Sequence, residues 1–205
     1  MWNPNPARRP SEGPFTWEDF VALPDDDRRE LIDGFFEETE VPNQIHEHIV
    51  AMIIMRLMNW TLTRRAGRVL ASGYKVQVSA KRGVMPDVQF FAKGNPGHPI
   101  ALEQGRPDLA VEIVSPGRGR YDRVQKLTWY QSIGVPEYWI IDPDERSLQR
   151  FVLVEGDWRF KSFADDDVFR PETFPGLEIS LAELWTFPDE TPEPETSEPP
   201  KDPES

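Results

Sequence analysis

The stretch that most constrains how this 205-residue chain can fold is "PDLAVEIVSPGRGRYDRVQK", Pro107 to Lys126. Its "DLAVEIV" is a near-continuous apolar run, the pattern of a central strand covered on both faces. Such a strand needs layers packed above and below it. Glu112 stands in the middle of the run. An unpaired buried carboxylate costs several kcal/mol in lost hydration. Glu112 therefore needs a partner: an arginine, a local hydrogen-bond network or a metal ion.

The elements around this strand follow from spacing and turn chemistry. Thr16 and Asp19 form a capping-box pattern before "WEDFVAL", which Pro24 closes. "RRELIDGFFEE" is two short extended runs about the turn Asp33-Gly34. From Asn43 to Arg65, Ile45, Ile49, Met52, Ile53, Leu57 and Trp60 recur at three and four residues, which predicts a helix ending at Gly67. "YKVQVS" alternates as a strand, and "DVQFFA" starts another at Asp87 behind Pro86. Tyr121 to Ile133 has helical spacing with Gly134 as its cap, and "EYWIIDP" is a further buried strand. "LQRFVLV" and "WRFKSF" form a hairpin about Glu155-Gly156-Asp157, and "SLAELW" a short helix capped by Ser180. The order implies an α/β or α+β single domain, a mixed sheet between helices.

Composition sets the limits of that domain. Residues 15–187 hold nearly all the core-forming side chains, 1–14 look loose, and 188–205 form a Pro/Glu-rich tail expected to be disordered. The net charge is −13, of which the tail carries seven acids and one lysine, hence −6. The body is then only moderately acidic, which disfavours DNA mildly without excluding it. No run of apolar residues is long enough for a membrane span. With no cysteine, neither disulfides nor thiolate metal sites arise, and a cytoplasmic location is expected.

Asp87 and Glu112 fall on consecutive predicted strands, where adjacent carboxylates can share one sheet face. That suits a hard cation such as Mg²⁺ or Mn²⁺. His46, His48 and His98 are too few and too dispersed for a histidine zinc site. Lys126 lies one helical turn after Asp122. It either pairs with Asp122 at the surface or reaches the carboxylates, where it would orient water or offset phosphate charge.

"MPDVQFF" followed by "RPDLAVEIVSPGRGRYDRVQKLTWYQSIGVPEYWIIDP" resembles the Uma-type family of restriction endonucleases, within the PD-(D/E)XK nuclease superfamily. "RELIDGFFEE" and "PNQIHEHI" fit the same pattern, so the likeness spans about residues 15–187. The resemblance implies a restriction-endonuclease-like core: a central mixed sheet flanked by helices, with a metal site at one edge. It implies Mg²⁺-dependent hydrolysis of DNA, with Asp87 and Glu112 as metal ligands and Lys126 as the catalytic lysine. The pattern usually carries that lysine two residues after the acid, where this chain has Val114; Lys126 on the following helix takes its place. Glu47, His46 and Asp108 are additional candidates, Glu47 and His46 equally solvent-facing or structural and Asp108 more readily a strand-entry cap. Arg118, Arg120 and Arg123 would contact DNA backbone phosphates, and a homodimer would let two sites cut two strands. The alternatives are a catalytically inactive binding or assembly module of the same fold, and a hydrolase of another phosphate ester such as RNA.

Overall fold

The structure, a computed structural model, describes residues 13–95, 105–115 and 119–187, without the side chains of 119–123. The expected loose segments 1–14 and 188–205 lie outside the described residues, apart from Gly13 and Pro14.

The first helix, α1 (Trp17–Val21), begins where the capping box demands. Asp19 N–H donates to Thr16 Oγ1 while Thr16 N–H donates to the Asp19 carboxylate, so two otherwise orphaned donors are satisfied. Asp33 and Gly34 both take positive φ, 51° and 82°. That turn geometry matches strand twist and joins β1 (Arg29–Ile32) to β2 (Phe35–Glu38). With β4 (Val76–Ser79) and β5 (Arg82–Val84) they form an antiparallel sheet in the order β2-β1-β5-β4. Trp17, Phe20, Leu31 and Met85 make its small core.

The long helix α2 (Gln44–Arg64) is capped by Asn43, whose Oδ1 accepts from His46 N–H at 2.9 Å. Its cap falls two residues before Gly67: Arg65 takes the left-handed conformation, φ 51°, and closes the helix itself. Gly67 instead opens β3 (Gly67–Ala71). Its glycine answers to a different constraint, since a Cβ there would sit 2.0 Å from the carbonyl oxygen of Phe91.

The main sheet runs β10-β9-β8-β7-β6-β3, built from β3, β6 (Val88–Ala92), β7 (Leu109–Ile113), β8 (Glu137–Asp142), β9 (Ser147–Val154) and β10 (Asp157–Ala164). Only β7 and β8 are parallel. A parallel pair needs a crossover, and α3 (Gly119–Ser132) supplies it. Alternation along the strands separates two cores. Val88, Phe90, Leu109, Val111 and Ile113 face α2 and the C-terminal segment, while Ala110, Tyr138 and Ile140 face α3 and the small sheet. Buried Glu137 ties the C-terminal segment to the first of these faces: it accepts from Arg150 Nε at 2.8 Å, Trp139 Nε1 at 2.6 Å and the Thr173 hydroxyl, while Arg150 reaches on to Glu172.

That segment holds the short pair β11 (Val168–Phe169) and β12 (Ile179–Ser180). The helix expected from Ser180 is a single 3₁₀ turn, Ala182–Leu184, preceded by Leu181 with no side-chain cap. So short a segment cannot repay helix nucleation; the burial of Leu181 and Leu184 holds it instead.

The Phe91 contact makes Gly67→Ala a sharp test of how closely β3 meets β6. We expect a loss of about 3 kcal/mol or more in urea unfolding, against about 1–2 kcal/mol for Gly94→Ala, where a Cβ meets nothing and only the positive φ of 90° is costly. Equal losses would contradict the packing argument.

Candidate active site

β6 and β7 run antiparallel with Val88 opposite Val111. One step outward, the register sets Asp87 against Glu112, on the face that carries Ala110. Ile113 N–H donates to Asp87 Oδ2 at 2.8 Å, which fastens the first carboxylate to the neighbouring strand. Glu112 sits in the sheet's interior as the spacing predicted, and it has partners.

Three elements converge on it. From α3, Lys126 Nζ lies 3.1 Å from the Glu112 carboxylate, and Tyr130, one turn further along the same face, donates its hydroxyl to Glu112 Oε1 at 2.7 Å. From β1, Glu30 Oε1 lies 3.3 Å from Lys126 Nζ and accepts the Met85 N–H at 2.9 Å. From the first turn of α2, His46 Nε2 lies 3.4 Å from Asp87 Oδ2. The other ring nitrogen of His46 is 3.5 Å from Glu47.

Burial and charge tune these groups. Burial pushes the Glu112 carboxyl up to about 8; Lys126 pulls it down, Asp87 and Glu30 raise it further, and the Tyr130 hydrogen bond lowers it. Burial, then the charge of Glu112, lifts the Tyr130 phenol well above its usual range, so it remains a hydrogen-bond donor. Burial lowers His46, but its hydrogen bond to Asp87 and the charges of Asp87 and Glu47 outweigh that and leave it raised.

The sequence candidates divide. Asp87, Glu112, Lys126 and His46 are brought together. Lys126 is 7% exposed, so it points into the protein; the pairing with Asp122 falls on a side chain outside the described residues. Asp108 stands apart from that cluster: its Oδ2 accepts from Ala92 N–H and Asn95 Nδ2, both at 2.7 Å, and so pins the turn at the far end of β6. Glu47 stays outside the cluster with its side chain 62% exposed. Arg118 lies outside the described residues, as do the side chains of Arg120 and Arg123. Glu30 and Tyr130 were missed. Tyr130 had a usable signal, its four-residue offset from Lys126; Glu30 had none, because only the fold brings β1 to α3.

Asp87 and Glu112 are the residues that could hold a hard cation. Both donate oxygen, and both contacts of Asp87 run through Oδ2, which leaves Oδ1 for another ligand. Among the described residues no third carboxylate or histidine joins them to complete a cage of side chains.

Four chains of solved structures match this one. Among them is the crystal structure of a "putative nuclease belonging to DUF820" from Anabaena variabilis ATCC 29413, with TM-score 0.68 and 21% identity, covering 84% of this chain and 98% of that one. That likeness shows the fold. Residues 17–182 match the family model described as "Uma2: Putative restriction endonuclease", and the chain belongs to the Uma2 family. No curated protein matches it.

The Glu112 carboxyl, at about 8 in the fold against the usual 4.5, retains a proton that the unfolded chain has already lost. Stability should therefore fall as pH rises from about 4.5 to about 8, by at most about 1.4 kcal/mol per unit for this group. Lys126→Met removes the cation that holds the value down. The variant should be destabilised more at pH 8 than at pH 5, read from urea midpoints; a difference independent of pH would show that Lys126 does not compensate Glu112.

Proposed function

We propose that the protein is a metal-dependent DNA endonuclease that hydrolyses phosphodiester bonds. The observation that carries the reading is the meeting of Asp87 and Glu112 across β6 and β7 with Lys126 at 3.1 Å from a separate helix. Membership of the Uma2 family supports it. A Mg²⁺ or Mn²⁺ ion held by Asp87 and Glu112 would supply an acidified water and neutralise charge on the phosphate.

The chain's own groups do the rest. Ile113 N–H and His46 fix the Asp87 carboxylate in place. Tyr130 fixes Glu112. Lys126, braced by Glu30, is held on the Glu112 carboxylate; it orients the attacking water and stabilises charge developing on the phosphate. A lysine on the following helix does this as well as one on the strand, because its ammonium reaches the same carboxylate oxygens. Arg118, Arg120 and Arg123, on the stretch that follows β7, would hold backbone phosphates and set register without reading sequence. Among the described residues no helix is long and apolar enough to cross a membrane, which is compatible with action on DNA in the cytoplasm.

Isothermal titration of Mg²⁺ and Mn²⁺, paired with plasmid nicking, tests the proposal on the wild type and on Asp87→Asn/Glu112→Gln. Binding and nicking should both vanish in the double variant, and Lys126→Met should cut nicking by about 10²-fold or more. A wild type that binds neither ion in the presence of DNA would leave a non-catalytic binding module. Cleavage of RNA in preference to DNA would reassign the substrate.

Because Glu112 must lose its proton to act as a ligand, cation binding at pH 7 should release up to one proton. Titrations in two buffers of different ionisation enthalpy measure it directly. Binding with no proton release would remove Glu112 from the ligand set.

A further inference from the structure

Where the end of β6 meets the start of β3, the surface holds a concavity of about 340 Å³. Arg65, Arg68 and Lys93 line it, and each comes from a different part of the chain. Arg65 follows α2, Arg68 lies on β3 and Lys93 follows β6. No acidic side chain lines it, and among the described residues none pairs with Arg65 or Lys93. In a chain of net charge −13, cations gathered without an acid make a local field of the opposite sign.

The fold holds these groups in place. Arg65 is the left-handed cap of α2, and its N–H still donates to the Thr61 carbonyl. Arg68 lies opposite Phe91 in the β3–β6 ladder. Its guanidinium sits 6.0 Å from the Phe91 ring centre and 3.3 Å from the Asn95 carbonyl oxygen. Lys93 N–H donates to Ala66 O at 2.7 Å, which ties the turn after β6 to the link between α2 and β3. Asp108 fastens the same turn through Ala92 N–H and Asn95 Nδ2.

Shape and chemistry select the ligand. Two guanidinium groups and an ammonium suit a phosphate, which arginine grips through paired N–H donors and lysine holds as a point charge. Arg65, Arg68, Lys93 and Gly94 are all exposed, so the concavity is open and would bury little of a small ligand. A polyanion passing across it loses nothing by that, because its affinity comes from phosphate contacts and released counterions. We propose that the concavity is a second anchor for nucleic acid, taking a backbone phosphate well away from the carboxylate cluster. The anion chemistry stands on the concavity itself, whereas nucleic acid as the source of the phosphate rests on the nuclease reading.

The anchor's position fits that role. Phe91 alternates with Asp87 along β6 and Arg68 lies opposite Phe91, so Arg68 shares the sheet face of the site. From Asp87 to Lys93 the chain spans about 20 Å at the strand rise, which is about six base pairs of duplex. A contact there would orient the duplex on the protein without reading its sequence.

Fluorescence anisotropy with a labelled duplex in EDTA tests the anchor on the Asp87→Asn/Glu112→Gln protein, where no cleavage intervenes. Adding Arg65→Asn/Lys93→Gln should weaken binding about tenfold at about 0.1 M salt and lower the slope of log K against log salt by about two. Asparagine tolerates the left-handed backbone at this position, and urea midpoints check that the fold persists. Arg159→Gln/Lys161→Gln, on exposed positions of β10, removes the same charge elsewhere and should leave the slope unchanged. No loss from the concavity pair, or an equal loss from the β10 pair, would overturn the anchor and leave the nuclease reading standing. Calorimetric titration of pyrophosphate into the same proteins separates the two sources of phosphate. If the concavity pair abolishes pyrophosphate binding yet leaves duplex affinity unchanged, the ligand is a free phosphate compound and the nucleic-acid proposal falls. A protein that binds no duplex even at low salt would overturn the anchor and the nuclease reading together.

Discussion

The contact between Glu112 and Lys126 is the constraint around which the rest of this protein is arranged. A carboxylate inside a central strand is tolerable only if the fold returns hydrogen bonds and an opposite charge for the water it gives up. Here the return comes from α3, which brings both Lys126 and Tyr130 to the two oxygens of Glu112. The small sheet then closes over Lys126 with Glu30, whose own carboxylate is anchored by the Met85 N–H. Remove that assembly and three secondary-structure units lose their common point of contact. Three acids around one lysine leave the cluster short of positive charge, and the high Glu112 carboxyl pKa reflects that deficit. A site so composed is a receptive place for a cation.

The connectivity explains why this cluster can be both rigid and reactive. β7 is flanked by β6 and β8, so Glu112 projects from the best-supported strand in the molecule. Asp87 stands just before β6, where the ladder ends and the backbone of Ile113 is free to bind its side chain. α3 is obligatory for a different reason, because the parallel β7–β8 pair must be joined by a crossover. The same helix that satisfies the topology therefore supplies the lysine. The site lies where the β6–β7 ladder ends, on the sheet face opposite the core that α2 covers.

Much of this was legible beforehand. The capping box at Thr16, the Asp33-Gly34 turn, the helix through Ile49, Ile53 and Leu57 and the buried strand around Glu112 all rest on local rules, and each stands where those rules put it. The errors share one cause. Gly67 looked like a helix stop, yet its glycine is there because the Phe91 carbonyl passes within 2.0 Å of where a Cβ would be. β3 and β5 escaped notice because their short segments are strands only by virtue of their neighbours. Ser180 matched a cap pattern for a helix that packing reduced to one 3₁₀ turn. Asp108 and Asp87 illustrate the limit at the site: each follows a proline at the start of a strand, and the sequence offers little to separate them. One turned to a turn amide and an asparagine, the other to the site.

By itself the sequence determined the class of fold and the pair of strands that carry Asp87 and Glu112, because strand period, helix period and turn chemistry act over a few neighbouring residues. Its periodicity also required that Glu112 have a partner, since the cost of burying a bare charge does not depend on which fold buries it. Only the tertiary structure decided which partner. Lys126 and Tyr130 lie fourteen and eighteen residues further along the chain, and Glu30 eighty-two residues earlier. Nothing local couples such separations. They meet because the β7–α3–β8 crossover and the small sheet are stacked on one face of the main sheet, and the pairing register and layer order fix which side chains share the space between them.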